Sequence, residues 1–378
     1  MKIVLERDVL AEAVAWTARA LPARPTIPVL AGIRLQAGSE LTLSSFDYDV
    51  SAQATVPVTT NEEGSALVSG RLLAEISRSL PARPVQISSE GGRAVLTCGS
   101  ATFTLLTMPQ EEYPALPAMP PAAGVVGSDA FATAVGQSAI AAGRDDTLPA
   151  LTGVRIEIEG DTLTLISTDR YRLAVRELRW TPERPDESAA VLVPARALSE
   201  TARALTAGAQ VSIALALPGA EGGQGGDGMI GFEGAGRRTT SRLLGGEFPR
   251  YQGLLPTSQR SLAEMSTSVL AEAVKRVALV AERNTAVRLA FSSGQLILEA
   301  GTGDEAQAEE ALEASFEGED LAIAFNPQYL LDGLAAIDSD TVRIAFTDPG
   351  KPALITGKPG PDGQPDYRYL LMPIRLGG

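Results

Sequence analysis

Over residues 153–178 apolar and polar side chains alternate with period two. Val154, Ile156 and Ile158 stand against Arg155, Glu157 and Glu159, and Leu163 and Leu165 continue the pattern after Gly160-Asp161. Such alternation predicts strands with one buried face, and the Gly-Asp pair predicts a tight connection. Polar and basic side chains interrupt the pattern at residues 167–172, before Leu173 and Val175 restore it. The stretch reads as three short strands, and the third carries the best candidate for a binding site.

The same pattern occurs three times. Ile33 and Leu35 precede Leu41 and Leu43, Val154 and Ile156 precede Leu163 and Leu165, and Val287 and Leu289 precede Leu296 and Leu298. A helix-periodic segment stands before each group, from Asp8, Asp129 and Ser268. These residue types can accept the free N–H groups of a first turn, so they are expected as N-caps. A second helical segment follows each group, over residues 69–80, 194–205 and 326–337, with Leu73, Leu198 and Leu330 at equivalent places. The period is far longer than the roughly 20–50 residues of solenoid repeats. The units are therefore whole domains, at residues 1–117, 118–256 and 257–378, each long enough for its own core. The Pro/Ala-rich segment 114–124 is expected to link the first two. Each domain reads as helix, strands, helix, strands, which is an α+β design with two helices packed on antiparallel sheets. Two segments depart from the repeat. The Gly-rich segment 218–236 lacks the Gly-Lys-Ser/Thr ending of a phosphate-binding loop and reads as an excursion between adjacent strands. The acidic segment 301–320 reads as one strand plus solvated chain.

The composition narrows the chemistry. The 378 residues include no histidine, which removes the commonest general base and most zinc sites. Adjacent carboxylates such as Asp145-Asp146 and Glu309-Glu310 read as solvated surface. No catalytic residue, metal site or cofactor is expected. One cysteine, Cys98, excludes an internal disulfide framework, fits a reducing cytoplasm and reads as a buried small side chain. No apolar run is long enough to span a membrane, and charges break up the N-terminal segment before it could form a signal-peptide core. The formal charge of −14 argues against nucleic acid unless the basic residues share one face.

Five segments in order, RPTIPVL after the first helix, TDRYRLAV, EFPRYQGLLP, FNPQYLLDGL and the final MPIRL, together resemble the bacterial DNA sliding clamps, the beta subunits of DNA polymerase III. The likeness covers essentially the whole chain, and the Arg/Ala-rich composition resembles that of actinobacterial members. It implies a head-to-tail homodimer ring, with repeated helices lining a hole for duplex DNA and sheets outside. The charge conflict then resolves: Arg19, Arg71, Arg78, Arg196, Arg203, Lys275 and Arg276 on the helices, with Arg24 and Arg144 just after two of them, would face phosphate without reading sequence. Pro149 and Ala150 stand where members carry aromatic residues, which puts DNA contacts from that loop in question.

The resemblance also implies a peptide pocket between domains two and three for polymerases, the clamp loader, repair proteins and peptide inhibitors. It maps onto Leu151, Thr168, Arg170, Tyr171, Arg172 and Leu173, onto Pro249 and Leu254, onto Asn326 and Tyr329, and onto Met372, Pro373, Ile374, Arg375 and Leu376. Apolar side chains would take Leu/Phe anchors while Arg172 and backbone groups orient the peptide. Many members carry Gly-His where this chain has Arg170-Tyr171, which implies a narrower pocket and altered partner preference. The ring interface would set Phe103 and Leu105 against Leu279 and Val280 of a second copy. Two other readings compete with an ordinary clamp: a special-role clamp paralogue resistant to an inhibitor, and a cytoplasmic hydrolase, which the missing histidine disfavours.

Overall fold

The computed structural model describes residues 1–219, 228–281, 286–301, 306–359 and 365–375. Among these there are six α-helices: α1 (Arg7–Thr17), α2 (Gly70–Ser79), α3 (Ser128–Ala139), α4 (Ala195–Ala204), α5 (Thr267–Val277) and α6 (Pro327–Ala335). They are the six that the repeat predicts. Asp8, Asp129 and Ser268 are not N-caps, however, because α1, α3 and α5 begin one residue earlier. A strand runs straight into each helix (Lys2–Leu5, Ala122–Gly127 and Ser261–Ser266), so the chain turns helical sooner than the side-chain pattern suggests. Glu6 and Ser266 occupy the cap positions without a side-chain cap bond. Asp8 and Asp129 lie in first turns, where a negative charge suits the exposed N–H groups. Two of the following helices are capped by side chains. Ser69 accepts from the Leu72 N–H, and Asn326 accepts from the N–H groups of Gln328 and Tyr329.

The described residues fall into two compact units. The first comprises Met1–Ala132, Trp180–Pro185 and Ala197–Leu243. It holds a five-stranded sheet whose edge is Ala101–Leu106, and a nine-stranded sheet. In the nine-stranded sheet Arg237–Arg242 pairs with Val50–Pro57, so strands from either side of residue 117 share one antiparallel ladder. The Pro-rich segment 114–124 enters this sheet as the strand Ala122–Gly127. Gln210–Ala216 pairs with Met229–Gly234, so the Gly-rich segment does leave one strand and return to its neighbour. Residues 220–227 within it lie outside the described residues.

The second unit comprises Thr133–Arg179, Asp186–Arg196 and Leu244–Gly378. Its nine-stranded sheet joins Arg172–Arg179 to Tyr367–Leu371, again across a boundary of the sequence repeat. Its four-stranded sheet has Ala308–Glu313 at an edge, and Ser315–Glu317 pairs with Ser261–Ser266 in the nine-stranded sheet, so the acidic segment supplies two strands where one was expected. The core of this unit gathers Leu270, Val274 and Val277 of α5, Leu330 and Leu334 of α6, and Phe325, Phe346 and Tyr369 from strands. Gly333 allows the close approach of α6 to Tyr369: a Cβ there would come within 2.4 Å of the ring. A smaller cluster holds Leu173, Phe248, Tyr251 and Leu370.

Candidate functional site

The break in the apolar pattern at residues 167–172 is a hairpin turn built by two side chains. Asp169 Oδ1 accepts the N–H groups of Tyr171 at 3.0 Å and Arg172 at 3.1 Å. Thr168 Oγ1 accepts the Arg170 N–H at 3.1 Å and donates to the Arg172 carbonyl at 2.7 Å. Arg170 is thereby held at φ 78°, in the left-handed region that glycine favours. The first repeat contains the same device. Asp47 Oδ1 accepts from Asp49 and Val50, and Tyr48 between them has φ 76°.

The turn forms one wall of a cavity of about 630 Å³. Asp169, Arg170, Tyr171 and Arg172 line that wall. Gln328, Tyr329 and Asp332 of α6 line a second, and the segment after α3, with Arg144, Asp145, Leu148 and Leu151, lines a third. Arg172 ties two walls together. Its Nε donates to Asp169 at 2.9 Å, its Nη1 to Asp332 at 2.6 Å, and its guanidinium lies 4.2 Å from the centre of the Tyr329 ring. Burial works against its charge, but Tyr369, Asp332 and Asp169 outweigh it and raise its pKa above the ordinary arginine value. Arg172 is thus a permanent cation that braces the cavity, with its donors turned to the protein rather than to a ligand. Asp332 also accepts from Gln328 at 2.7 Å.

The remaining pocket residues divide by exposure. Thr168 and Leu173 are buried, the first spent on the turn and the second in the Phe248–Tyr251 cluster. The Asn326 side chain is spent on capping α6. Tyr171, Leu254, Met372 and Ile374, by contrast, are among the few large apolar side chains left exposed. The Met372 N–H donates to the Tyr171 carbonyl at 2.8 Å, and the Tyr171 and Tyr329 rings lie 6.4 Å apart. The last segment therefore reaches the turn. Pro249 and Arg375 are exposed, Pro373 is half-buried, and Leu376 lies outside the described residues. Asp169, Gln328 and Asp332 line the cavity although the sequence pattern did not single them out. Asn326, Tyr329 and Asp332 recur at the three-residue spacing of one helix face, a signal present in FNPQYLLDGL.

All nine basic residues expected to face DNA are exposed. In the first unit Arg24, Arg78 and Arg203 make no ion pair among the described residues, whereas Arg71 pairs with Glu75 at 3.1 Å. Arg19 donates to the Glu200 carbonyl at 2.5 Å and lies over Trp16. Partial burial lowers its pKa, with Glu200 opposing and Arg237 and Arg203 adding to the effect, so three guanidinium groups gather around Trp16 and α4. Arg237, the third of them, lies on a strand, where the helix pattern gave no reason to expect it. In the second unit Lys275 pairs with Glu272 at 2.8 Å and Arg276 pairs with Glu310 at 2.6 Å, while Arg144 makes no ion pair among the described residues. Arg196 has an interaction partner of its own.

Of the apolar interface set, Leu279 is 84% exposed on the short 3-10 turn after α5, and Val280 beside it is half-buried. Phe103 is half-buried on the edge strand Ala101–Leu106. Leu105 is only 7% exposed and belongs to the core of its own sheet, while its neighbour Leu106 is 73% exposed. Among the described residues no helix is long and apolar enough to cross a membrane.

Three family profiles match in order: DNA polymerase III beta subunit N-terminal domain over residues 1–117, central domain over 125–250 and C-terminal domain over 252–375. The beta sliding clamp of Streptomyces coelicolor is 62% identical over 381 residues, covering all of both chains. The beta sliding clamp homolog GriR of Streptomyces muensis is 43% identical, again over all of both. Among solved structures, the DNA polymerase sliding clamp of Bacillus subtilis superposes with a TM-score of 0.90 at 27% identity over the whole of both chains. A Pseudomonas aeruginosa sliding clamp bound to griselimycin gives 0.89 at 29% identity, also over both whole chains. This chain therefore belongs to the DNA polymerase III beta subunit family, the bacterial sliding clamps.

Proposed function

We propose that this chain is the processivity clamp of a replicative DNA polymerase. It is a non-enzymatic scaffold of three β-clamp domains, which we bound at residues 117/118 and 256/257. In this reading two copies close head to tail around duplex DNA in the cytoplasm. The cavity walled by Tyr171, Tyr329 and Arg172, with Met372 beside it, receives short peptides of the polymerase, the clamp loader and repair proteins. The observation that carries the proposal is the in-order match of all three domains over the full chain. The exposed apolar side chains gathered at the turn and the last segment support a peptide-docking role for the cavity.

A special-role paralogue is the second reading. The higher identity to the Streptomyces coelicolor clamp, 62% against 43% for GriR, favours the ordinary clamp. A primer-extension assay on circular DNA with the cognate polymerase and clamp loader tests the proposal. Product length per binding event should rise when this protein is added. Product lengths unchanged by saturating protein, with a competent loader present, would remove the clamp reading.

A further inference from the structure

Each repeat places an arginine at the same point of its first strand pair: Arg34, Arg155 and Arg288. In the second and third repeats the chain supplies that arginine with a carboxylate. Arg155 Nε donates to Glu157 at 2.7 Å, and Arg288 donates to Glu299 directly opposite on the neighbouring strand. In the first repeat both carboxylates are missing. Gln36 stands at the place of Glu157, and Ser44, directly opposite Arg34, at the place of Glu299. Among the described residues, four arginines bury their Nε without an acceptor: Arg7, Arg34, Arg176 and Arg368. Arg7, Arg176 and Arg368 each form an ion pair through another nitrogen, with Asp8, Asp366 and Glu177. Arg34 forms none among the described residues.

A second unpaired donor lies beside it. Tyr113 is 7% exposed, and its hydroxyl is buried without a partner. The ring packs with Phe46 and Leu67, and Leu67 is directly opposite Arg34 in the strand ladder. The second repeat has the same neighbours. Glu112-Tyr113-Pro114 recurs as Glu247-Phe248-Pro249, and the Arg155 guanidinium lies 5.9 Å from the centre of the Phe248 ring. Burial pushes the Tyr113 pKa up while the Arg34 charge opposes it, so the two groups are within electrostatic reach. Asp47, whose charge also reaches the phenol, is spent on the N–H groups of Asp49 and Val50 and leaves both donors unmet. Buried donors are ordinarily paired, so two unmet ones at one place call for an acceptor.

We propose that Arg34 and the Tyr113 hydroxyl form a carboxylate-binding site that an acid from outside the chain completes. The second repeat shows what such a donor pair holds. One oxygen of Glu157 accepts from Arg155 Nε, and the other accepts from the Tyr251 hydroxyl at 2.8 Å. In the first repeat the hydroxyl comes from the Phe248 position instead, and the acid is absent. Arg34 is half-buried, so its guanidinium is reached from the sheet surface while its Nε stays shielded from water. A carboxylate offers two oxygens to two donors and matches the guanidinium in shape as well as charge, which chloride does not. Ser44 adds a hydroxyl across the ladder.

The test follows the Arg34 Nε–H signal of the full-length, nitrogen-15-labelled protein by NMR, with Arg34→Lys identifying the signal. Sodium acetate, sodium chloride and a blocked glutamate (N-acetyl, C-amide) are titrated at equal ionic strength. Acetate should move the signal to saturation and chloride should not. Tyr113→Phe should weaken acetate about fivefold, the worth of one hydrogen bond. Gln36 is exposed, so Gln36→Glu should fold. It supplies the acid from within: its Arg34 signal should no longer respond to acetate, and its thermal midpoint should exceed that of the wild type. Blocked glutamate binding more tightly than acetate would support a side chain of a second protein as the source. Equal or weaker binding would support a small free acid. An Arg34 signal that neither acid moves overturns the proposal. Equal shifts with acetate and chloride mean an adventitious ion only and overturn it too. So does an acetate response that survives Gln36→Glu or is unchanged in Tyr113→Phe.

Discussion

Arg172 Nη1 lies 2.6 Å from Asp332 Oδ2, although the two residues are 160 apart in the chain. The bond fastens the turn after one strand to the middle of α6, and the cavity lies between them. Arg172 is 7% exposed, so the loss of a partner cannot be fully made good by water.

The first prediction follows from that bond. Asp332→Ala leaves Arg172 with Asp169 alone and frees the Gln328 amide. Because the Asp332 side chain is 25% exposed, the expected cost lies below that of a fully buried pair, at about 2 kcal/mol. Asp332→Asn keeps an acceptor and should cost about half as much. Urea denaturation monitored by circular dichroism measures both, and midpoints equal to the wild type would show that the bond contributes no stability.

The second prediction concerns alkaline pH. Tyr113 is buried with Val29, Phe46 and Leu67, where the chain leaves the first repeat. Burial pushes its pKa up to about 12, against the opposing charge of Arg34. The folded state therefore holds this proton more tightly than the unfolded state, whose tyrosine titrates near 10. The stabilisation is complete below pH 10 and is lost as pH rises toward 12. Tyr113→Phe lacks this titration, so its stability should fall less steeply between pH 10 and 12, by about 2 kcal/mol relative to wild type. Parallel denaturation curves for the two proteins across that range would refute the assignment.

The periodic patterns revealed the six helices and the strand groups because helices and half-buried strands write their faces into the sequence. They did not reveal which strands pair. The ladder between Arg172–Arg179 and Tyr367–Leu371 joins two repeats, and alternation says only that each strand has a buried face. The resemblance put Leu105 at the ring interface, but its side chain is buried and the neighbouring Leu106 is the exposed one. The pocket segments TDRYRLAV and MPIRL were joined by family resemblance alone, and the Tyr171–Met372 backbone bond supplies the physical link. Asp332 was overlooked because its role depends on a partner in another repeat.

The third prediction tests the proposed ring. Leu279 and Leu106 are two of the largest exposed apolar surfaces, and neither supports the core of the single chain. If a second copy covers them, burying such a side chain is worth about 1.5–3 kcal/mol. Leu279→Asp and Leu106→Asp should each raise the dimer dissociation constant by tenfold or more, as an order-of-magnitude expectation, while leaving the denaturant midpoint of the monomer nearly unchanged. Sedimentation velocity over a dilution series measures this. A wild-type protein that sediments as a monomer at micromolar concentration would remove the ring.

The fourth prediction separates basic residues by whether they already have partners. Arg24, Arg78 and Arg203 make no ion pair among the described residues, so their charges are free to displace counterions from phosphate. Arg276 is held by Glu310 and Arg71 by Glu75, so each must break a bond before reaching DNA. Replacing Arg24, Arg78 and Arg203 together with Gln should weaken retention on nicked circular DNA. It should also flatten the dependence of log affinity on log salt by about 0.9 for each phosphate that is no longer neutralised, without any preference among DNA sequences. Replacing Arg71 and Arg276 with Gln should change the slope much less. The comparison keeps the DNA and the loading step constant, so a difference between the two variants reports the local partners of the side chains. If both variants flatten the slope by the same amount per residue, ion pairing in the free protein does not decide which cations meet DNA. If neither changes it, these helices face away from the duplex.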